Sequence, residues 1–164
     1  MSMTGNYIRI TPVQLGEFQN KPEEVVDFIF DGMEDEVDDR RLYIDKTWHG
    51  IHFLLNGDPW EGEPPLLNAV LGGEEIGTED PGYGPPRYLT TEQVKEVAGA
   101  LSQIPDTEIR SRFDPERFTK ADIYPSIWDE GQEALDYLMD YYPDLVRFFS
   151  RAAQAGDAML LAIL

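Results

Sequence analysis

The chain has 164 residues, 41% apolar and 12% aromatic, with no cysteine, two histidines and a formal net charge of −19. That length suits one domain with its own core, and the lack of cysteine excludes disulfides, thiolate metal sites and a cysteine nucleophile, as suits a reducing cytoplasm. The charge disfavours nucleic acid and anionic membranes, because both would repel it, and favours a basic protein or a cationic ligand.

The first residues, Met-Ser-Met-Thr-Gly-Asn-Tyr, carry no basic start and no apolar run, so no signal peptide is expected. Tyr7 to Ile10 reads as a short strand. Thr11-Pro12 then opens a helix, with Thr as N-cap and Pro at the first helical position. A second helix is expected from Pro22 to about Phe30, apolar on most sides through Val25, Val26, Phe28, Ile29 and Phe30, with Glu23 and Glu24 in its first turn. Asp31 to Asp39 holds six acids and no base. It reads as a solvated stretch, since it lacks the Gly and Glu spacing of a calcium loop. From Pro22 to Pro86 there are 17 Asp and Glu against Arg40, Arg41 and Lys46, which places −14 of the −19 in this segment.

Leu42-Tyr43-Ile44 reads as extended. In Asp45 to Asn56, residues Trp48, Ile51, His52 and Leu55 recur at helical spacing, Gly50 suggests close packing, and Asn56-Gly57 is a stop. Residues 57–65 and 72–86 are rich in Gly, Pro and acids and read as loops, with a short buried piece at Leu66 to Leu71 between them. Thr90 and Gln93 form a capping box for a helix with a Val94, Val97, Ala98, Leu101 stripe. Asp106 and Asp114-Pro115 each begin a short helix. The last helical region starts at Trp128-Asp129, presents Leu135, Leu138, Tyr142, Leu145, Phe149 and Ala152 on one side, and is expected to break or kink at Pro143. Gly156 ends it. Ala158 to Leu164 is then a buried strand paired with the first, and its seven residues are far short of the ~20 that span a bilayer. The reading is an α+β fold: one compact domain over residues 1–164, a small antiparallel sheet from the N- and C-terminal strands packed with about six to eight helices.

Asp45-Lys46-x-Trp48-x-x-Ile51-His52-Phe53-Leu54-Leu55 resembles the hallmark stretch of the YfbM-like bacterial proteins, a family defined by a domain of unknown function. Ala69-Val70-Leu71-Gly72-Gly73, Gly82-Tyr83-Gly84-Pro85-x-Arg87-Tyr88-Leu89, Ile123-Tyr124-Pro125-x-x-Trp128 and Arg151-Ala152-Ala153-x-x-Gly156 follow in the same order. The resemblance covers nearly the whole chain. It implies a compact α+β domain with a small sheet wrapped by helices, and it implies no particular activity.

Three groups of residues could carry chemistry. If the helix starts near Asp45, then Asp45, His49 and His52 share one face at i, i+4 and i+7. That is a partial ligand set for zinc or iron, but it is not His-Glu-x-x-His, and a histidine among Ile51 and Phe53 is commonly a hydrogen-bonded core residue. Arg87, in a glycine- and proline-rich loop, can grip a carboxylate or phosphate, or pair with nearby acids. Tyr124, Ser126 and Trp128 could line a pocket or belong to the core. No cofactor or metal motif is present, so none is expected. Two functions stay open. One is a non-catalytic acidic binding protein for a basic partner. The other is a small-ligand binder or enzyme with a pocket around Asp45, His52 and Arg87, joined by Lys46, Trp48, Tyr88 and Tyr124.

Overall fold

The computed structural model describes residues 2–33 and 38–164. Part of the acidic stretch from Asp31 to Asp39 therefore lies outside the described residues. Strand β1 (Gly5–Ile10) leads into α1 (Pro12–Asn20). There the Thr11 hydroxyl accepts from the Gln14 amide and the Gln14 side chain accepts from Thr11, a full capping box. A 3-10 turn over Pro22–Glu24 precedes α2 (Val25–Asp31). Val25, Val26 and Ile29 are buried, but Phe30 is 44% exposed, so the helix is amphipathic rather than apolar on most sides.

Strand β2 is Arg41–Tyr43 and α3 is Trp48–Asn56, closed by Gly57 in the left-handed conformation. The expected loops contain β3 (Glu74–Glu75) and end in β4 (Arg87–Leu89), neither of which was legible in the sequence. Helix α4 (Thr91–Ser102) has the expected Thr90–Gln93 box, and α5 (Asp106–Ser111) and α6 (Pro115–Lys120) follow. Asp114 caps α6 by accepting from the amides of Glu116 and Arg117.

Helix α7 (Gln132–Ala155) runs for 24 residues through Pro143, so of the two expectations, a break or a kink, the break into two helices does not occur. Proline in a helix interior costs about 3 kcal/mol. Burial of Leu138, Tyr142, Leu145, Phe149 and Ala152 against the core offsets that cost several-fold at about 1.5–3 kcal/mol per large side chain. Gly156 ends α7 in the left-handed conformation, and β5 (Ala158–Ile163) closes the chain.

The sheet is antiparallel with order β2-β1-β5-β4-β3. The chain's two ends form its centre, with Gly5 opposite Ile163 and Ile10 opposite Ala158. Strand alternation sends Tyr7, Met159, Leu161 and Ile163 to one side, where α3 to α7 build the larger core. Ile8, Ile10, Ala158, Leu160 and Ala162 face the other side, under α1 and α2. Strand β5 is buried along its whole length because helices cover both faces, which is why it reads as an uninterrupted apolar run. The fold is thus α+β, with seven α-helices among the described residues.

Candidate functional site

Asp45 does not begin the helix. Its backbone sits in the left-handed region at φ 50°, Lys46 is also non-helical, and regular α geometry starts at Trp48. Aspartate tolerates this conformation better than most side chains. The turn carries the Asp45 carboxylate away from α3 towards three tyrosines. The Tyr43 hydroxyl donates to Oδ1 at 3.0 Å and the Tyr137 hydroxyl donates to Oδ2 at 2.7 Å. The Lys46 amide donates to the same Tyr137 oxygen at 3.2 Å. Tyr141 lies one turn along α7 and meets Tyr137 edge to face, with ring centroids 5.7 Å apart. Burial raises the Tyr137 phenol pKa, and the hydrogen bond to Asp45 raises it further. Tyr141 is raised by partial burial and by the fields of Asp45, Asp140 and Asp144.

His49 faces elsewhere. The Tyr124 amide donates to its Nδ1 at 2.9 Å, so that nitrogen is an acceptor and Nε2–H donates to the Pro59 carbonyl, also at 2.9 Å. The ring is neutral and fully engaged. Burial lowers its pKa, and the Pro59 carbonyl offsets part of the shift. Trp48 stacks on His49 and on Tyr124, with centroids 5.1 and 5.8 Å apart, and His49 lies 4.3 Å from the ring of Trp60. The Trp48 indole donates to the Met3 carbonyl, and the Met3 amide donates to the Tyr124 hydroxyl. These bonds tie the N-terminal segment, α3, the 57–65 loop and the Ile123–Trp128 segment together.

His52 is fully buried. Asn56 donates to its Nδ1 at 3.3 Å, and among the described residues Nε2 has no partner in hydrogen-bonding geometry. Burial pushes its pKa down to about 4, against a smaller opposing pull from the Glu61 and Asp58 backbone. Asp45, His49 and His52 therefore do not share a face as a partial ligand set, because the helix begins three residues later than expected.

Arg87 donates to the carbonyls of Val70 at 2.9 Å and Gly72 at 2.6 Å rather than to a carboxylate. The Tyr7 hydroxyl holds the Ala69 carbonyl at 2.6 Å, so a buried side chain from β1 and a half-buried one from β4 fix this turn. Gly73 follows at φ 92°, where a Cβ would lie 2.8 Å from the Tyr88 carbonyl oxygen, so only glycine fits. Tyr88 points to the opposite side of the sheet and donates to Glu74 at 2.5 Å.

The seven residues singled out from the sequence thus separate. Asp45 and Lys46 join the tyrosine group, Trp48 and Tyr124 stack together, and His52, Arg87 and Tyr88 each engage other partners. Clefts of about 280 and 250 Å³ lie by β1 and β2 and by Asp122 to Asp129, and neither is lined by Asp45, His52 or Arg87. Sequence reasoning missed Tyr43, Tyr137 and Tyr141; Trp60 is recognisable from the sequence as an aromatic that marks either a partner surface or a tucked loop, and its ring lies against His49. The signal for two of the tyrosines was present: Tyr137 and Tyr141 are four residues apart on the polar side of a helix whose apolar side was legible.

The chain is 27% identical over 172 residues to Protein YfbM of Escherichia coli strain K12, with 99% of each covered. The crystal structure of YfbM from Escherichia coli, described as a protein of unknown function, superposes with a TM-score of 0.74 at 26% identity, covering 99% of this chain and 100% of that one. Residues 1–162 match the family profile of a domain of unknown function, DUF1877, and the chain belongs to that family.

Proposed function

We propose that this chain is a non-catalytic, cytoplasmic binding protein whose acidic surface takes a basic protein partner. The observation that carries this reading is how five of the thirteen Lys and Arg residues are engaged within the fold. Arg9 and Arg40 both reach the buried Asp157. Arg41 reaches Asp38 and the carbonyls of Phe28 and Ile29. Arg87 holds Val70 and Gly72, and Arg112 holds the Leu54 carbonyl and Glu108. Meanwhile Glu23, Glu24, Asp27, Glu74, Glu75, Glu79, Asp80, Asp136 and Asp140 are exposed. Lys21, Lys95, Arg110, Arg117, Lys120, Arg147 and Arg151 are exposed too, but exposed acids outnumber them, so the net field facing outward is negative and steers cations.

Two further features favour binding over catalysis. Both imidazoles, the groups best matched to proton transfer near neutral pH, are buried among backbone and amide partners. Asp45, His52 and Arg87 hold separate partners, which weighs against the pocket they could have shared. Among the described residues no helix is long and apolar enough to cross a membrane.

The test is a pull-down with the full chain against small basic proteins, followed by titration of any captured partner in increasing salt. The expected affinity loss is at least ten-fold between about 50 and 300 mM salt, as screening shortens the reach of the field. Salt-independent capture, or a thermal-shift response to neutral metabolites alone, would overturn the reading.

A further inference from the structure

We propose that the docking point is the tyrosine–carboxylate patch between β2 and α7, and that it selects arginine over lysine side chains of a basic protein segment. This deepens the reading above and rests on it. The acidity of the chain is spread over both sides of the sheet, so net charge alone does not say where a partner sits. The α2 side presents Glu23, Glu24 and Asp27. The α7 side presents Asp140, exposed and without a hydrogen-bond or ion-pair partner among the described residues, beside Asp45, Tyr43, Tyr137 and Tyr141.

Two properties separate the α7 patch from the Glu23, Glu24 and Asp27 carboxylates; Tyr88 on Glu74 is a second tyrosine–carboxylate pair, but there one phenol meets the carboxylate, whereas Asp45 holds two. The first is that its aromatic groups are already ordered. Tyr43 is 52% exposed, yet its hydroxyl is fixed on Asp45, and Tyr137 is fixed on the other oxygen of the same carboxylate. Side chains that are immobile before binding lose little rotamer entropy on binding. Tyrosine is also among the residues that dominate interface energetics. The exposed carboxylates Glu23, Glu24 and Asp27 on the α2 side make no such bonds to a ring.

The second property is the mixture of ring faces and carboxylates. A guanidinium is planar and weakly hydrated, so it stacks on a tyrosine face while its edge reaches a carboxylate. A lysine ammonium is strongly hydrated and offers no plane. Each oxygen of Asp45 accepts one phenol and keeps a lone pair for a further donor. Asp140 adds an unpaired carboxylate on the adjoining helix face. Tyr43 borders the cleft by β1 and β2, while Asp45, Tyr137, Tyr141 and Asp140 do not line it, which fits a protein segment better than a free metabolite.

The experiment uses the full chain, labelled with nitrogen-15, titrated with a blocked Gly-Arg repeat octapeptide and its Gly-Lys counterpart at low salt. Chemical-shift mapping locates the site, and calorimetry gives the affinity ratio. The expected result is shifts concentrated at residues 43–46 and 137–144, with the arginine peptide bound at least about three-fold more tightly. Tyr43→Thr keeps a strand-forming residue and Asp140→Asn removes only a charge. Each should weaken the arginine peptide several-fold, towards about ten-fold for the pair. Glu23→Gln with Asp27→Asn, on the opposite side of the sheet, should change it less than about two-fold. Circular dichroism of each variant confirms folding, and the two test substitutions are independent, so one misfolded variant leaves the other decisive. Equal binding of both peptides, or shifts spread over α2, would overturn the patch while leaving a basic partner in place. Failure of both peptides to bind at low salt would overturn the patch and the basic-partner reading together.

Discussion

Acidification should unfold this protein through His52. The ring is fully buried, its Nδ1 accepts from Asn56, and its Nε2 lacks a partner among the described residues, so it is held neutral. Its pKa falls from the ordinary 6.5 to about 4, chiefly because burial disfavours the cation. The unfolded chain therefore binds this proton at a higher pH than the folded one. The stabilising contribution is complete above about pH 6.5, shrinks as the pH falls, and is lost near pH 4. At 1.36 kcal/mol per pH unit the full displacement would be worth roughly 3 kcal/mol. Discounted for solvent screening this is about 2 kcal/mol, still a large share of a stability of roughly 5–15 kcal/mol. His49 acts with the same sign in the same direction. Urea unfolding from about pH 7 to 4.5 should show the decline, and His52→Leu should flatten it by up to about 1 kcal/mol per pH unit. The variant does not orphan Asn56, whose amide also donates to the backbone carbonyl of residue 52 and to Leu66. Equal slopes in the two proteins would refute the argument.

Tyr142 is buried with no partner for its hydroxyl among the described residues, so Tyr142→Phe should stabilise by up to about 1 kcal/mol in a denaturant titration, because an unpaired buried hydroxyl is a liability. At Gly50 a Cβ would lie 2.8 Å from Leu138 Cδ2 and 3.0 Å from Trp128 Cη2. The gain of about 1 kcal/mol in helix propensity for Gly50→Ala should be exceeded by overpacking of about 1–3 kcal/mol, giving a lower thermal midpoint. Arg87→Met keeps the aliphatic stem and removes both donors to the Val70 and Gly72 carbonyls. It should destabilise by about 2–3 kcal/mol, measured in the same titration, and raise hydrogen exchange in the 69–73 turn.

The helix starts at Thr11, Thr90 and Asp114 and the stops at Gly57 and Gly156 were legible because each depends on chemistry within about four residues. The pairing of β5 with β1 was legible because a seven-residue apolar run has to be covered and the first strand was available. Phe30 misled, since an apolar side chain may remain outside at modest cost.

Strands β3 and β4 were hidden because they are two and three residues long and carry Glu74, Glu75 and Arg87. Pairing, not propensity, makes them strands: β4 lies against β5, and β3 lies against β4. Pro143 promised a break, and the buried face of α7 outweighed it. The candidate residues divide in the same way. Asp45, His49 and Arg87 were recognisable as chemically capable side chains, but what they do depends on Tyr137, Tyr124 and Val70, which lie 92, 75 and 17 residues away. Sequence determined the local caps, the apolar faces and the excess of negative charge, because these act over a turn or sum over the chain. Only the tertiary structure decided which polar group meets which, because burial forces each donor to find an acceptor wherever packing places one.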